Sequence, residues 1–203
     1  MALASFLRYN MLMNKLNVVI IEGTTRVQRK SILAARLIEK VGKEFFADEI
    51  ETVFVDPNDF NLPGDGNDPE GKDARYTAIT EKADAFFVVV PEYNHSFPGS
   101  LKRLFDSELK NYNHKAIAFA GVSGGPFGGV RAIQSFVPVV REGGLVTIAV
   151  DVQFPGVQDL FDEHGALKDE AYVRRTKRVY DELIWMAKTL KYGRESVVKK
   201  KSA

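Results

Sequence analysis

The sequence predicts an α/β domain built on a mostly parallel sheet. Short β-branched or aromatic runs alternate with longer stretches of helical period, which is the pattern of βαβ units. The loops that follow the runs are rich in glycine, proline and polar residues. A length of 203 residues, 45% apolar and 27% charged, suits one globular domain with a substantial core.

Five runs read as strands: Leu16 to Ile21, Glu51 to Val55, Ala85 to Val90, Lys115 to Gly121 and Leu145 to Val150. The third and fifth are nearly all apolar, as expected of central strands covered on both faces. Between the first two, Leu33, Leu37 and Val41 recur at four-residue spacing beside Ala34 and Ile38, giving one helical stripe that begins at Ser31 or just before it. Further helices are expected over Asp73 to Lys82, Ser100 to Leu109 and Val130 to Val140, the last bent or ended near Pro138. Tyr172, Thr176, Val179, Tyr180, Leu183, Ala187 and Leu190 share one face of a long helix from Lys168 to Tyr192.

The domain is expected to occupy residues 15–192. Residues 1–14 read as a short disordered extension, with Met11 and Met13 as alternative starts, and residues 193–203 as a frayed basic tail carrying Lys199, Lys200 and Lys201. Arg8 and Asn10 break the apolar opening, so it does not read as a signal peptide, and no run reaches the roughly 18 apolar residues of a membrane span. Twenty-eight basic against 27 acidic residues leave a charge of +1, too little to recruit nucleic acid or an acidic membrane. Cysteine is absent, which excludes disulfides, thiolate metal sites, Fe–S clusters and cysteine nucleophiles and fits a reducing, cytoplasmic setting.

Asp56 to Gly71 holds three prolines and three glycines and reads as a loop at a strand's carboxyl end. In open α/β sheets ligands bind outside those ends. Three other loops carry chemistry there. Gly23 to Ser31 offers a glycine turn, the hydroxyls of Thr24, Thr25 and Ser31, and the cations Arg26, Arg29 and Lys30 before a helix amino terminus. This set meets a phosphate monoester's need for donors and positive charge; a solvated basic loop with an N-cap serine is the plainer alternative. The spacing is neither that of a P-loop nor Gly-x-Gly-x-x-Gly. Pro91 to Gly99 sets Glu92, Tyr93, Asn94 and His95 between prolines, a rigid rim suited to a planar heterocycle or simply a strand cap before a helix at Pro98. Gly121 to Gly129, with five glycines in nine residues, lets the backbone approach a ligand closely.

Taken together, Gly23-Thr24-x-Arg26, Pro91-Glu92-Tyr93-Asn94-His95-Ser96-x-Pro98-Gly99-x-Leu101-Lys102 and Gly121-x-Ser123-Gly124-Gly125-Pro126-x-Gly128-Gly129 resemble the NADPH-dependent FMN reductase family, with its azoreductases, quinone reductases and chromate reductases. The resemblance spans roughly residues 16 to 190. It implies a flavodoxin-like three-layer sandwich, a five-stranded parallel sheet of order 2-1-3-4-5 with helices on both faces. It also implies FMN as cofactor and NADPH or NADH as hydride donor, with no catalytic side chain or metal because the flavin carries the chemistry. The phosphate then falls to Gly23, Thr24, Arg26 and Ser31, with Arg29 or Lys30 as helper. The isoalloxazine falls to Pro91, Glu92, Tyr93 and Asn94, and its other edge to Ser123, Gly124 and Gly125. A homodimer or homotetramer is implied as well, with the apolar Phe105 as part of a subunit face; Arg103-Leu104-Phe105 departs there from the family's asparagine and alanine-rich step.

Two rivals stand beside this reading. Gly121-Val122-Ser123-Gly124-Gly125 formally matches a hydrolase elbow, with Asp151 or Asp159 and then His164 in order, although Pro126, Gly128 and Gly129 prolong the loop and His164 sits in a turn-like stretch. A flavin-binding electron carrier or sensor without a nicotinamide site is the other.

Overall fold

The strand period of two divides each buried strand between two cores. The computed structural model describes residues 15–61 and 72–197. In chain order its elements are β1 (Leu16–Glu22), α1 (Ser31–Phe45), β2 (Ile50–Val55), a 3₁₀ turn (Pro57–Asp59), α2 (Ala74–Lys82), β3 (Ala85–Pro91) and α3 (Gly99–Asp106). There follow a second 3₁₀ turn (Lys110–Tyr112), β4 (Ala116–Val122), α4 (Val130–Glu142), β5 (Val146–Thr147), β6 (Val152–Phe154), a short α5 (Val157–Leu160) and α6 (Ala171–Tyr192). All pairings are parallel and the order is β2-β1-β3-β4-β5, with β6 also on β4. This is the flavodoxin-like arrangement, and it reverses strand order between β1 and β3, where the carboxyl ends open a crevice.

On one face Val18, Ile20, Phe87, Val89, Ala116 and Ala118 pack beneath α1 and α6; on the other Val19, Ile21, Phe86, Val88, Ile117 and Phe119 pack beneath α2, α3 and α4. The small alanines of β4 admit α6 closely. Enlarging fully buried Ala118 would cost about 1–3 kcal/mol through overpacking. Tyr180 of α6 donates its hydroxyl to the Ile38 carbonyl of α1 at 2.9 Å, so this large ring is buried without stranding its polar tip.

Four expectations are corrected. The fifth apolar run is not a central strand but the sheet's edge, broken into β5 and β6. Thr147 pairs with Ile117 and Val152 with Ala120, so residues 148–151 bulge opposite 118–119. Apolar content there reported neither position nor full burial, since only Leu145 and Ile148 of the run are buried. Pro138 does not end α4, which runs on to Glu142; Pro138 lies on the exposed face, where the ladder bond it removes opens toward water. Phe105 belongs to no exposed face. It is 4% exposed, stacks on Tyr112 with centroids 4.3 Å apart and meets Phe136 edge-on. Finally, residues 193–197 form a π-helical turn continuing α6 rather than a frayed end, because Arg194 donates to the His114 carbonyl and to Asp84. Residues 1–14, the loop residues 62–71 and the tail lysines lie outside the described residues. Among the described residues no helix is long and apolar enough to cross a membrane.

Candidate functional site

Three post-strand loops meet at the carboxyl end of the sheet. They line a cleft of about 230 Å³ with Arg26, Lys30, Ser31, Tyr93, Ser123 and Gly124, to which Gln28, Arg29, Pro91 and Glu92 also contribute. A larger hollow of about 440 Å³ lies elsewhere, between α1 and residues 161–173. Leu33, Leu37 and Phe161 line it together with Arg36, Lys40, Glu44 and Glu170, but none of the post-strand loops does, so the smaller cleft is the one placed where open α/β sheets bind ligands.

The first loop separates into an outer and an inner set. Arg26 and Lys30 are exposed and have no carboxylate partner among the described residues. They flank the start of α1, where no side chain caps the free amides. Arg29 and Ser31 face inward instead. Arg29 pairs with Asp56, donates to the Arg26 carbonyl at 3.2 Å and lies 4.0 Å from Glu22, while the Ser31 hydroxyl donates to Glu22. Glu22 is fully buried, and that burial raises its carboxyl to about 7 against the opposing Ser31 bond and Arg29 charge. Ser31 is therefore not the helix N-cap; Lys30 holds that position without a side-chain bond. Gly23 is required by packing: a Cβ there would meet the Val89 carbonyl at 2.2 Å.

Thr24 is likewise buried, 2% exposed, and its hydroxyl accepts from the Arg26 amide at 3.3 Å and shares a 3.0 Å bond with the Tyr93 hydroxyl. It thereby ties the first loop to the second. Tyr93 and Ser96 exchange backbone bonds of 2.8 and 3.0 Å across a tight turn in which Asn94 and His95 have φ of 49° and 67°. This is the type I′ pattern; asparagine enters it readily and histidine at a cost of about 1 kcal/mol. Arg131 at the start of α4 fixes the turn, with Nη2 2.5 Å from Glu92 Oε1 and Nη1 2.9 Å from His95 Nε2. Because a guanidinium only donates, His95 accepts at Nε2 and carries its proton on Nδ1.

The third loop is held by the residues after β6. Val157 donates its amide to the Ser123 carbonyl and Gly156 to that of Gly125, both at 3.1 Å, and Gln158 Nε2 reaches the Gly124 carbonyl at 3.2 Å. An added Cβ at Gly125 meets nothing within 4 Å, and at Gly124 only Gln158 at 3.5 Å; neither has a positive φ. Nothing internal to the fold demands glycine at these two positions. Ser123 gives its hydroxyl to the Gly125 carbonyl at 2.9 Å, seven loop residues separate β4 from α4, and the His164 side chain is 83% exposed beside Glu163. Ser123 and His164 form no pair.

Asn94 stands exposed at the tip of its turn, outside the cleft lining, as does Gly125. The residues that sequence reasoning missed are Glu22, Asp56, Arg131, Val157 and Gln158. Glu22 and Asp56 carried a usable signal, since each is a carboxylate at the end of a strand; the other three reach the site only through tertiary packing.

An anion and a flat ring fit this cleft. Unpaired cations and uncapped amides lie at one end, Tyr93 lies beside them, and side-chain-free backbone forms the opposite wall. The protein-family model for NADPH-dependent FMN reductases matches residues 16–158. A quinone reductase of Pseudomonas putida is 26% identical over 164 residues, covering 76% of this chain and 86% of that protein. An NADPH azoreductase of Bacillus sp. strain OY1-2 is 26% identical over 125 residues, 59% of this chain and 66% of its own. Among solved structures, the flavoenzyme NAD(P)H:(acceptor) oxidoreductase FerB of Paracoccus denitrificans superposes with a TM-score of 0.67 at 19% identity, over 85% of this chain and 98% of that one. The likeness to FerB is one of fold.

Proposed function

The chain belongs to the NADPH-dependent FMN reductase family, and from that premise we propose that it passes electrons from NADPH or NADH, through FMN held in the three-loop cleft, to a small acceptor such as a quinone or azo compound. One observation carries the assignment of the site. The only cations of the first loop left without a carboxylate among the described residues, Arg26 and Lys30, flank an uncapped helix start beside Tyr93 and the open wall at Gly124. The flavin supplies the redox chemistry when bound, taking hydride from the nicotinamide and returning electrons to the acceptor.

The protein's own part is to bind and orient. Arg26, Lys30 and the first amides of α1 hold the phosphate by charge-assisted bonds. Gly23, Thr24, Arg29 and Ser31 support that loop from beneath. Pro91, Glu92, Tyr93 and Asn94 frame one side of the ring, and the backbone of Ser123, Gly124 and Gly125 approaches its other edge, the Ser123 amide itself being held by the Phe154 carbonyl at 3.2 Å. Exposed Val27, Phe127 and Val130 near the cleft mouth are the apolar surface that a homodimer or dimer of dimers would cover.

Anaerobic addition of NADPH to the FMN-loaded chain is expected to bleach the oxidised flavin band, with ping-pong kinetics once an acceptor is present. Flavin binding without bleaching by either nicotinamide would turn the reading toward an electron carrier. A chain that binds no flavin would overturn it.

A further inference from the structure

We propose that Glu22 is a positioning residue that couples the phosphate loop to a proton, so that binding a phosphate monoester above it draws a proton onto its carboxylate. The inference rests on the reading of this loop as the FMN phosphate site. Glu22 is the last residue of β1, fully buried, and its sheet neighbour Val89 brings no charge. The charged and polar groups facing it are Ser31 from α1, Arg29 from the loop and Asp56 from beyond β2.

These partners do not balance. One Glu22 oxygen takes the Ser31 hydroxyl and lies 4.0 Å from Arg29 Nε, while Oε2 is buried with no partner. Arg29 Nε is also buried and unpartnered, its guanidinium having turned to Asp56. Two carboxylates thus share one cation, and the cluster is neutral when one of them holds a proton; Glu22, the more deeply buried and with an unpartnered oxygen, is the one placed to take it. Burial already brings that carboxyl to about 7. A phosphate dianion at Arg26 and Lys30 adds negative charge next to the group least able to keep its own, and the proton then favours the bound state reciprocally. Affinity for a phosphorylated flavin should therefore be greatest below about pH 7 and fall above it. The second ionisation of a phosphate monoester, with a pKa of about 6, acts in the opposite sense, so a decline above pH 7 cannot come from the ligand.

The test compares dissociation constants of FMN and of riboflavin, which lacks the phosphate, by flavin fluorescence from pH 6 to 8.5. In the wild-type chain the advantage of FMN over riboflavin is expected to shrink about tenfold across that range, the linkage for a one-unit rise in proton affinity. In Glu22→Gln it should stay flat or grow. Ser31→Ala removes a bond that favours the charged form, so the decline should move to higher pH; this variant carries the test if the glutamine variant does not fold. A wild-type advantage that is flat or rises with pH overturns the coupling while leaving the phosphate site intact, and a decline that persists unchanged in Glu22→Gln overturns Glu22 as its source. FMN binding no tighter than riboflavin at any pH overturns the phosphate site itself and the coupling with it.

Discussion

Two of the buried carboxylates, Asp84 and Glu22, lie at opposite ends of the sheet and are treated differently. At the amino end Asp84, on the turn into β3, accepts the Asn17 amide at 3.1 Å, Lys191 at 2.8 Å and Arg194 at 3.0 Å. Nearby Lys115, 7% exposed, donates to the Thr80 and Glu81 carbonyls at 2.7 and 3.2 Å. At the carboxyl end Glu22 has one hydrogen bond and one stranded oxygen. The contrast extends beyond this pair. Among the described residues, the charged side chains with a buried and unpartnered atom are Glu22, Arg29, Glu92 and Arg131, at the last residue of β1, in the post-strand loops and at the start of α4. Polar satisfaction at one end holds the last helix to the sheet. Its incompleteness at the other coincides with the cleft proposed above as the binding site.

The sharpest way to break the comparison is Asp84→Asn. Removing one partner of a buried, multiply bonded ion cluster is expected to cost about 3 kcal/mol in denaturant unfolding and to loosen the turn at 193–197. Glu22→Gln should act with the opposite sign. Because the folded carboxyl lies above its unfolded value, the stability it contributes is full below about pH 4.5 and is lost as pH rises through about 7. The glutamine variant should accordingly unfold with the wild type at pH 4.5 and later than it at pH 8, by up to about 3 kcal/mol. Arg26→Ala should leave the unfolding midpoint alone and weaken FMN about tenfold by fluorescence titration, the loss of one charge-assisted contact. The smallest effect belongs to Asp151 in the edge bulge, whose carboxyl burial raises to about 6. Asp151→Asn should lift the melting temperature slightly at pH 8 and not at pH 4.

The sequence made the frame legible where period and burial coincide. β1, β3, α1 and α6 were readable because Val18 to Ile21, Ala85 to Val90, the Leu33-Leu37-Val41 stripe and the Tyr172-to-Leu190 face each fit one period with one environment. The fifth run failed because an apolar stretch looks the same in a central strand and in a kinked edge. At the site, the three loops were legible through residue type, but the direction of a side chain was not. Ser31 and Arg29 have the chemistry of phosphate ligands, yet Glu22 at the end of β1 turns the first inward and Asp56 beyond β2 the second. Phe105 shows the same limit from the apolar side, since its stacking on Tyr112 depends on a turn 5 to 7 residues away that its own helix does not announce.

The split of the last strand also governs how copies of this protein can meet. A straight, exposed edge is a template on which another sheet can extend itself, and the four-residue bulge at 148–151 breaks the even spacing of backbone donors and acceptors that such growth requires. On that side the sheet is closed to continuation, and contact between copies is left to side chains on helices and loops.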